Sequence, residues 1–362
     1  MHFGLFNLMT QRERSQSASE IIAHTTEHVK LAEQIGFEIA WFAEHHFSNY
    51  CLCPSPLTMC AYMAPQTKKM RLGPAVVVAP LYEPVRLLED ICMVDQLCGG
   101  RLVLGFGTGY QEYEFHKFGV DLKDARPIFL ETLDLLEQFL SGDPVSYQGK
   151  FVTMPATHFS VRMAQKRPDI YVAGMAGDPE TQGRAMRRNY IPFFTTGWNT
   201  LEAIAEMREK ARQSYVAAGG KPSEAPYAMQ RYVFVTDDRA AALQAAEGAR
   251  YIRRIAMSMR NKYNRLDGAF LQEIPAPDEP PLEMIADRLL VGSADVVAER
   301  LAGEIETLQP THISAFMAIP GMEQRSVLKS MEAFGAKVMP QLTRRFGNMA
   351  GIGAPARQVA VA

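Results

Sequence analysis

Rhythm constrains this chain more than any single residue does. Short runs rich in β-branched and aromatic residues alternate with longer segments of helical period, and little separates one pair from the next. The strand-like runs fall at 3–6, 39–43, 70–78, 101–106, 170–173, 191–195, 227–235 and 312–318. Between them lie segments such as 19–35, where Ile21, Ile22, Val29, Leu31, Ala32 and Ile35 recur at roughly helical spacing, and 125–140, the clearest amphipathic stretch. Such alternation builds parallel βα units, and about eight of them predict a closed (β/α)8 barrel, an α/β TIM barrel with insertions. A doubly wound sheet is disfavoured because Gly105, Gly107 and Gly109 stand at GxGxG spacing, and no GxGxxG fingerprint follows the first strand.

Three segments break the rhythm. Residues 142–169 carry the turn residues Gly142, Asp143, Pro144, Gln148 and Gly149 and predict an excursion with a small hairpin. Residues 261–281 are rich in proline and acid with weak periodicity, which predicts a mobile lid. Residues 347–362 read as a flexible tail, leaving 1–346 as a single domain.

Composition excludes several functions. A net charge of -2 gives no electrostatic basis for binding nucleic acid or an acidic membrane surface. No apolar run reaches membrane-spanning length, and no signal peptide opens the chain. Cys51, Cys53, Cys60, Cys92 and Cys98 form neither a CxxC pair nor a zinc-like set, so reduced thiols in a cytoplasmic protein without a bound metal are expected.

Ligand groups in parallel barrels gather at the carboxyl ends of the strands. There, residues 41–47 read Trp-Phe-Ala-Glu-His-His-Phe and deliver Glu44, His45 and His46. Histidine is the side chain best suited to proton transfer near neutral pH. A second strand end turns through Pro80. A third is small-residue rich, Gly105 to Tyr110, and lets a flat ligand approach the backbone. The fourth, Gly174, Met175, Ala176 and Gly177, opens a helix, whose unpaired N–H groups and dipole suit a phosphate.

The run 41–47, with Arg71-Leu-Gly-Pro-Ala-Val-Val-Val78, resembles the bacterial luciferase family of flavin-dependent monooxygenases. So do Pro84-Val-Arg-Leu-Leu-Glu-Asp90 with Asp95-Gln96, Gly100-Arg-Leu-Val-Leu-Gly105, Glu114-Phe-His-Lys-Phe-Gly119, Leu290-Val-Gly-Ser293 and Val338-Met-Pro-Gln-Leu342. The resemblance implies a TIM barrel that binds reduced FMN delivered by a separate flavin reductase. With O2 the flavin forms a C4a-peroxyflavin that oxidises a small organic substrate. By motif, His45 matches the catalytic histidine, with Glu44 beside it. Ala75 and Val76 match a cis-bonded pair against the flavin ring, and Gly107 and Thr108 match ring and phosphate contacts. Gly174, Met175, Ala176 and Gly177 match the phosphate turn, with Thr181 as an extra donor. An apolar chamber is needed to keep the oxygen adduct dry. Phe6, Tyr110, Phe194 and Trp198 are its expected substrate-side walls, with Trp41, Phe47 and Phe106. The resemblance also suggests a dimer, homodimeric or with a sequence relative, and helix 84–97 offers Ile91, Cys92, Val94 and Leu97 for it.

The chain departs from the light-emitting members in two places. Thr108 stands where they use arginine beside the phosphate, and Gly174-Met175 where they use Glu-Ser, so Arg184 is expected to supplement the grip. Light emission is not implied. Two alternatives share the barrel: an enzyme of hydride transfer to or from the deazaflavin F420, and a non-catalytic flavin-binding protein.

Overall fold

The computed structural model describes residues 1–260, 265–277 and 279–353. In chain order its regular elements are β1 (His2–Asn7), α1 (Ala18–Gln34), β2 (Ile39–Phe42), α2 (Pro56–Met63), β3 (Arg71–Pro74), β4 (Val77–Val78), α3 (Pro84–Leu97) and β5 (Leu104–Gly107). There follow α4 (Glu112–Phe118), α5 (Ala125–Ser141), β6 (Val145–Gln148), β7 (Thr153–Thr157), β8 (Ile170–Ala173), α6 (Pro179–Arg188), β9 (Ile191–Thr195), α7 (Leu201–Ala217) and β10 (Ala228–Val235). The chain continues through α8 (Arg239–Arg260), β11 (Leu266–Asp267), β12 (Phe270–Leu271), α9 (Leu282–Arg288), β13 (Leu290–Gly292), α10 (Ala294–Leu308), β14 (His312–Phe316), α11 (Gln324–Ala333) and α12 (Met339–Phe346).

The large sheet runs β3-β2-β1-β14-β10-β9-β8-β5-β4, with β13 added to β10. Its pairings are parallel, and a bridge from Leu72 to Leu102 joins its two ends into a ring. This is the expected TIM barrel. The expected strand 70–78 is two pieces, β3 and β4, lying on either side of the cis Ala75–Val76 peptide. The hairpin in the 142–169 excursion is present as antiparallel β6 and β7.

Strand alternation sorts side chains between two cores. Ile39, Trp41, Val103, Tyr171, Ile191, Phe193 and Ala228 fill the barrel interior. A larger cluster, including Phe42, Phe106, Phe194 and Met229, lies between the strands and the helices. The Trp41 indole crosses the interior, and its Nε1–H donates to His312 Nε2 at 2.8 Å. Glycine makes room for it, since a Cβ on Gly73 would lie 2.7 Å from the indole. Because Nε2 accepts, the proton of His312 sits on Nδ1, and burial holds the ring neutral by driving its pKa well below the usual histidine range.

The described part of the expected lid is a hairpin of β11 and β12, docked beside the barrel mouth. Asn49 N–H donates to Ala269 carbonyl oxygen, and Leu271 N–H donates to Asn49 Oδ1. Arg254 holds Glu279 and Glu273. Residues 261–264 and 278, on which part of that expectation falls, lie outside the described residues. The expected tail divides in the same way. Residues 354–362 lie outside the description, whereas Met349 and Ile352 accept hydrogen bonds from the Met1 ammonium at 2.7 and 2.9 Å, so this stretch is not frayed. The five cysteines are free and buried, and among the described residues no helix is long and apolar enough to cross a membrane.

Candidate active site

The end of β2 splits into two opposed sets of contacts. His45 turns to the mouth, where its side chain keeps 14% exposure. Its Nδ1 lies 3.1 Å from Glu114 Oε1 and 3.2 Å from Gln111 Nε2. A proton on Nδ1 donates to the Glu114 carboxylate and leaves Nε2 free to accept one. Glu114 is itself fixed by the backbone N–H of His46 at 2.7 Å. The His45 ring packs edge-on against Tyr50 and Tyr110, with centroids 4.8 and 5.9 Å away. The arrangement is a histidine oriented by a buried carboxylate and walled by aromatic rings, which can move a proton at the mouth.

His46 and Glu44 face the other way. His46 Nε2 donates to Glu44 Oε1 at 2.9 Å, while Glu44 Oε2 accepts from Val78 N–H at 3.1 Å and Tyr82 hydroxyl at 3.0 Å. Burial pushes the Glu44 carboxyl above its ordinary range, against the opposing pull of these donors. Burial also drives the Tyr82 phenol far up, so it remains a donor. Glu44 was expected to be catalytic, yet its oxygens are engaged and its residue is only 2% exposed. It is a positioning residue, pinning the chain just beyond the cis bond.

The cis Ala75–Val76 pair expected by resemblance is present, and both residues are half-buried at the mouth. Val76 lies across Gly107: a Cβ there would come within 2.5 Å of its side chain. Beside this platform opens a cleft of about 460 Å³ lined by Thr108, Gly109, Leu122, Ala125, Arg126, Gly174, Met175, Gly177 and Asp178. Thr108 and the 174–177 turn thus meet as expected. Asp178 caps α6, accepting from Glu180 and Thr181 N–H, so the helix's own first donors are taken. Among the hydrogen bonds of the described residues, none has the N–H of Met175, Ala176 or Gly177 as donor. Those three groups and Arg126, which is half-exposed and 3.5 Å from Asp178, are what the cleft offers an anion. Ala176 and Thr181 side chains are buried behind the turn, so Thr181 is not the extra donor expected.

Arg184 does not serve the phosphate. It is 9% exposed and bound to Asp134, Glu137 and Glu180. Arg126 lines the cleft instead, from the second position of α5. Glu114 and Gln111 were also missed as site residues, although Glu114 stood in a quoted motif.

Three expected walls are corrected. Phe194 faces the helices and packs on Tyr227 at 4.9 Å, because its neighbour Phe193 holds the inward position. Phe106 is likewise in the outer core, and Trp41 lies on the interior floor, not in the wall. Phe6 touches both cores and meets Phe316 edge-on at 5.4 Å, while Tyr110 stands 39% exposed beside His45. Trp198 is partly buried after β9, and Phe47 is 48% exposed on the rim, against Phe118.

Known proteins are similar to this chain in sequence or in fold. An uncharacterised protein of Sinorhizobium fredii is 36% identical over 96% of this chain and 99% of its own length. The oxygenase component of the flavin-dependent trigonelline monooxygenase of Acinetobacter baylyi is 30% identical over 52% of each chain. The oxygenating constituent of 3,6-diketocamphane monooxygenase from Pseudomonas putida, solved with FMN, superposes with a TM-score of 0.74 at 21% identity, over 94% of this chain and 98% of that one. A model of the luciferase-like monooxygenases matches residues 1–312, and the chain belongs to that family.

Proposed function

We propose that this chain is the oxygenase component of a two-component flavin monooxygenase, using reduced FMN from a separate reductase, and O2, to oxidise a small organic substrate. The observation that carries the reading is a set of groups gathered at the carboxyl ends of neighbouring strands. They are the anion-ready turn 175–177 with Arg126, the platform of Gly107, Ala75 and Val76, and His45. A flat ring ending in a phosphate calls for these features: an anion-ready turn at one end and small residues beneath the ring. When bound, reduced flavin supplies the reaction with oxygen, which no side chain here can perform. The protein's own contribution is to hold the phosphate and press the ring against small residues. His45 Nε2 is presented for proton transfer, and Phe6, Tyr110 and Trp198 exclude water. The trigonelline relative's description as an oxygenase component supports the separate reductase.

A homodimer is part of the proposal. Ile91, Cys92 and Val94 were expected at its interface, but they are buried against the rest of the fold. On the outer side Met93 and Leu97 of α3 are 54% and 56% exposed, with Tyr62 of α2 43% exposed, and these are the apolar groups to be covered.

The test is anaerobic titration with reduced FMN and, in parallel, with reduced F420, followed by reductase- and NADH-dependent oxygen uptake over a substrate panel. Tight FMN binding with substrate-coupled uptake is expected. Preference for F420 with no oxygen consumption would overturn the reading. Gly177→Val should raise the FMN Kd about tenfold or more by crowding the phosphate, with little change in melting temperature.

A further inference from the structure

Between the Trp41–His312 floor and the rim lies a layer of inward-facing side chains that the flavin reading leaves unused. On β10, Met229 and Arg231 face outward, Met229 in the outer core and Arg231 bound to Glu304 of α10. Alternation therefore turns Gln230 inward, above Ala228. On β14, Ile313 and Ala315 belong to the outer core and His312 faces in, so Ser314 faces in as well. Gln230 and Ser314 are in register as neighbours, which sets their side chains side by side about 5 Å apart.

Both are buried, at 3% and 0% exposure, and both hold polar atoms with no hydrogen-bond partner: Gln230 Nε2 and Ser314 Oγ. An unmet donor in such a place costs folding stability unless something satisfies it. The layer is reachable from the mouth, because Thr195, in register with Gln230 on β9, is exposed. Gly4 lies in register on the far side of Ser314, where the His312 ring occupies the place a Cβ would take. Phe6 and Phe316 stand above. Among the described residues, no carboxylate or basic chain of β10 or β14 points into this layer: Arg231 is turned away, and His312 is bonded to Trp41.

We propose that Gln230 and Ser314 form a recognition site for a neutral carbonyl or imide edge of a bound ligand. The Gln230 amide donates to a carbonyl oxygen, and the Ser314 hydroxyl donates to the same oxygen or accepts from an adjoining N–H. The lack of a fixed positive charge selects neutral oxygen over carboxylate. Two sources carry such an edge: the pyrimidinedione ring of the flavin, or a ketone or amide group of the organic substrate. The inference rests on the flavin reading only for the first of these.

Ser314→Ala and Gln230→Met test it, since each removes a donor with little change of volume. A structural pair would hold the fold together, so its loss would lower the melting temperature of the ligand-free protein. A recognition site predicts that the ligand-free melting temperature holds or rises in both variants, because an unsatisfied buried group has been removed. Reduced FMN is then titrated anaerobically, and cyclohexanone is titrated onto the FMN-loaded protein. An approximately tenfold weaker FMN Kd assigns the pair to the flavin edge. Unchanged FMN binding with an approximately tenfold weaker cyclohexanone Kd assigns it to the substrate. A lower ligand-free melting temperature in both variants, or both affinities within twofold of wild type, overturns the proposal. Wild-type protein that binds no FMN would refute the flavin reading separately, while the ligand-free melting temperatures, with cyclohexanone titrated onto the ligand-free protein, still decide this one.

Discussion

His45 and His46 are adjacent in sequence, yet each reports on a different region of the molecule. The His45 side, with Glu114, Gln111, Tyr50 and Tyr110, faces the mouth and leaves one ring nitrogen to react. The His46 side, with Glu44, Tyr82 and Val78 N–H, is closed, and both Glu44 oxygens are bonded. On the proposed reading, the same dipeptide supplies a reactive group and a clamp. A buried network gains rigidity by satisfying every donor, whereas a catalytic group needs one left over. Chemistry and anchoring are therefore separable here by single substitutions.

The sharpest way to break this contrast is His45→Ala. Turnover should fall about 10²–10⁴-fold while the melting temperature changes little. Near wild-type turnover would leave the mouth side with no catalytic role. Next in size is His46→Ala, which strands a buried carboxylate and should cost about 2–4 kcal/mol in denaturant unfolding. The protein that remains folded should turn over within a few-fold of wild type, and a loss as large as that of His45→Ala would merge the two sides. Glu114→Gln keeps the shape but removes the charge that orients His45. It should lower turnover about 10- to 100-fold with FMN affinity retained, and the comparison weakens if kcat is unmoved. The smallest effect belongs to Tyr82→Phe, with about 1 kcal/mol lost in unfolding and unaltered kcat. A kcat change there would show that the clamp reaches into the chemistry.

The barrel and its four converging strand ends are legible in the sequence because alternation and terminal glycines are local signals. What escapes is either facing or distance. Strand β9 reads Ile-Pro-Phe-Phe-Thr, apolar without alternation, so nothing in the string says that Phe193 and not Phe194 points inward. Arg126 is the second residue of α5 and Arg184 the sixth of α6, and nothing local in the string says that three carboxylates gather around Arg184. Glu114 meets His45 across 69 residues from a seven-residue helix too short to show a period. Three-residue β13 was expected only as part of a motif, and its pairing with β10 had no sequence signature.

The glycines of the mouth bear on how this protein could change its diet over evolutionary time. A methyl group at Gly105 would come within 2.0 Å of Pro74 carbonyl oxygen, and one at Gly107 or Gly109 would strike Val76, Val78 or Phe115 at 2.5–2.7 Å. That half of the rim is frozen, for almost any codon change there damages the scaffold before it alters selectivity. Drift toward new molecules must then run through the opposite half, at Phe6, Thr195, Gln230 and Ser314. A mutational library aimed at altered substrate range should find its survivors there, and variants at the glycines should mostly disappear from the folded pool.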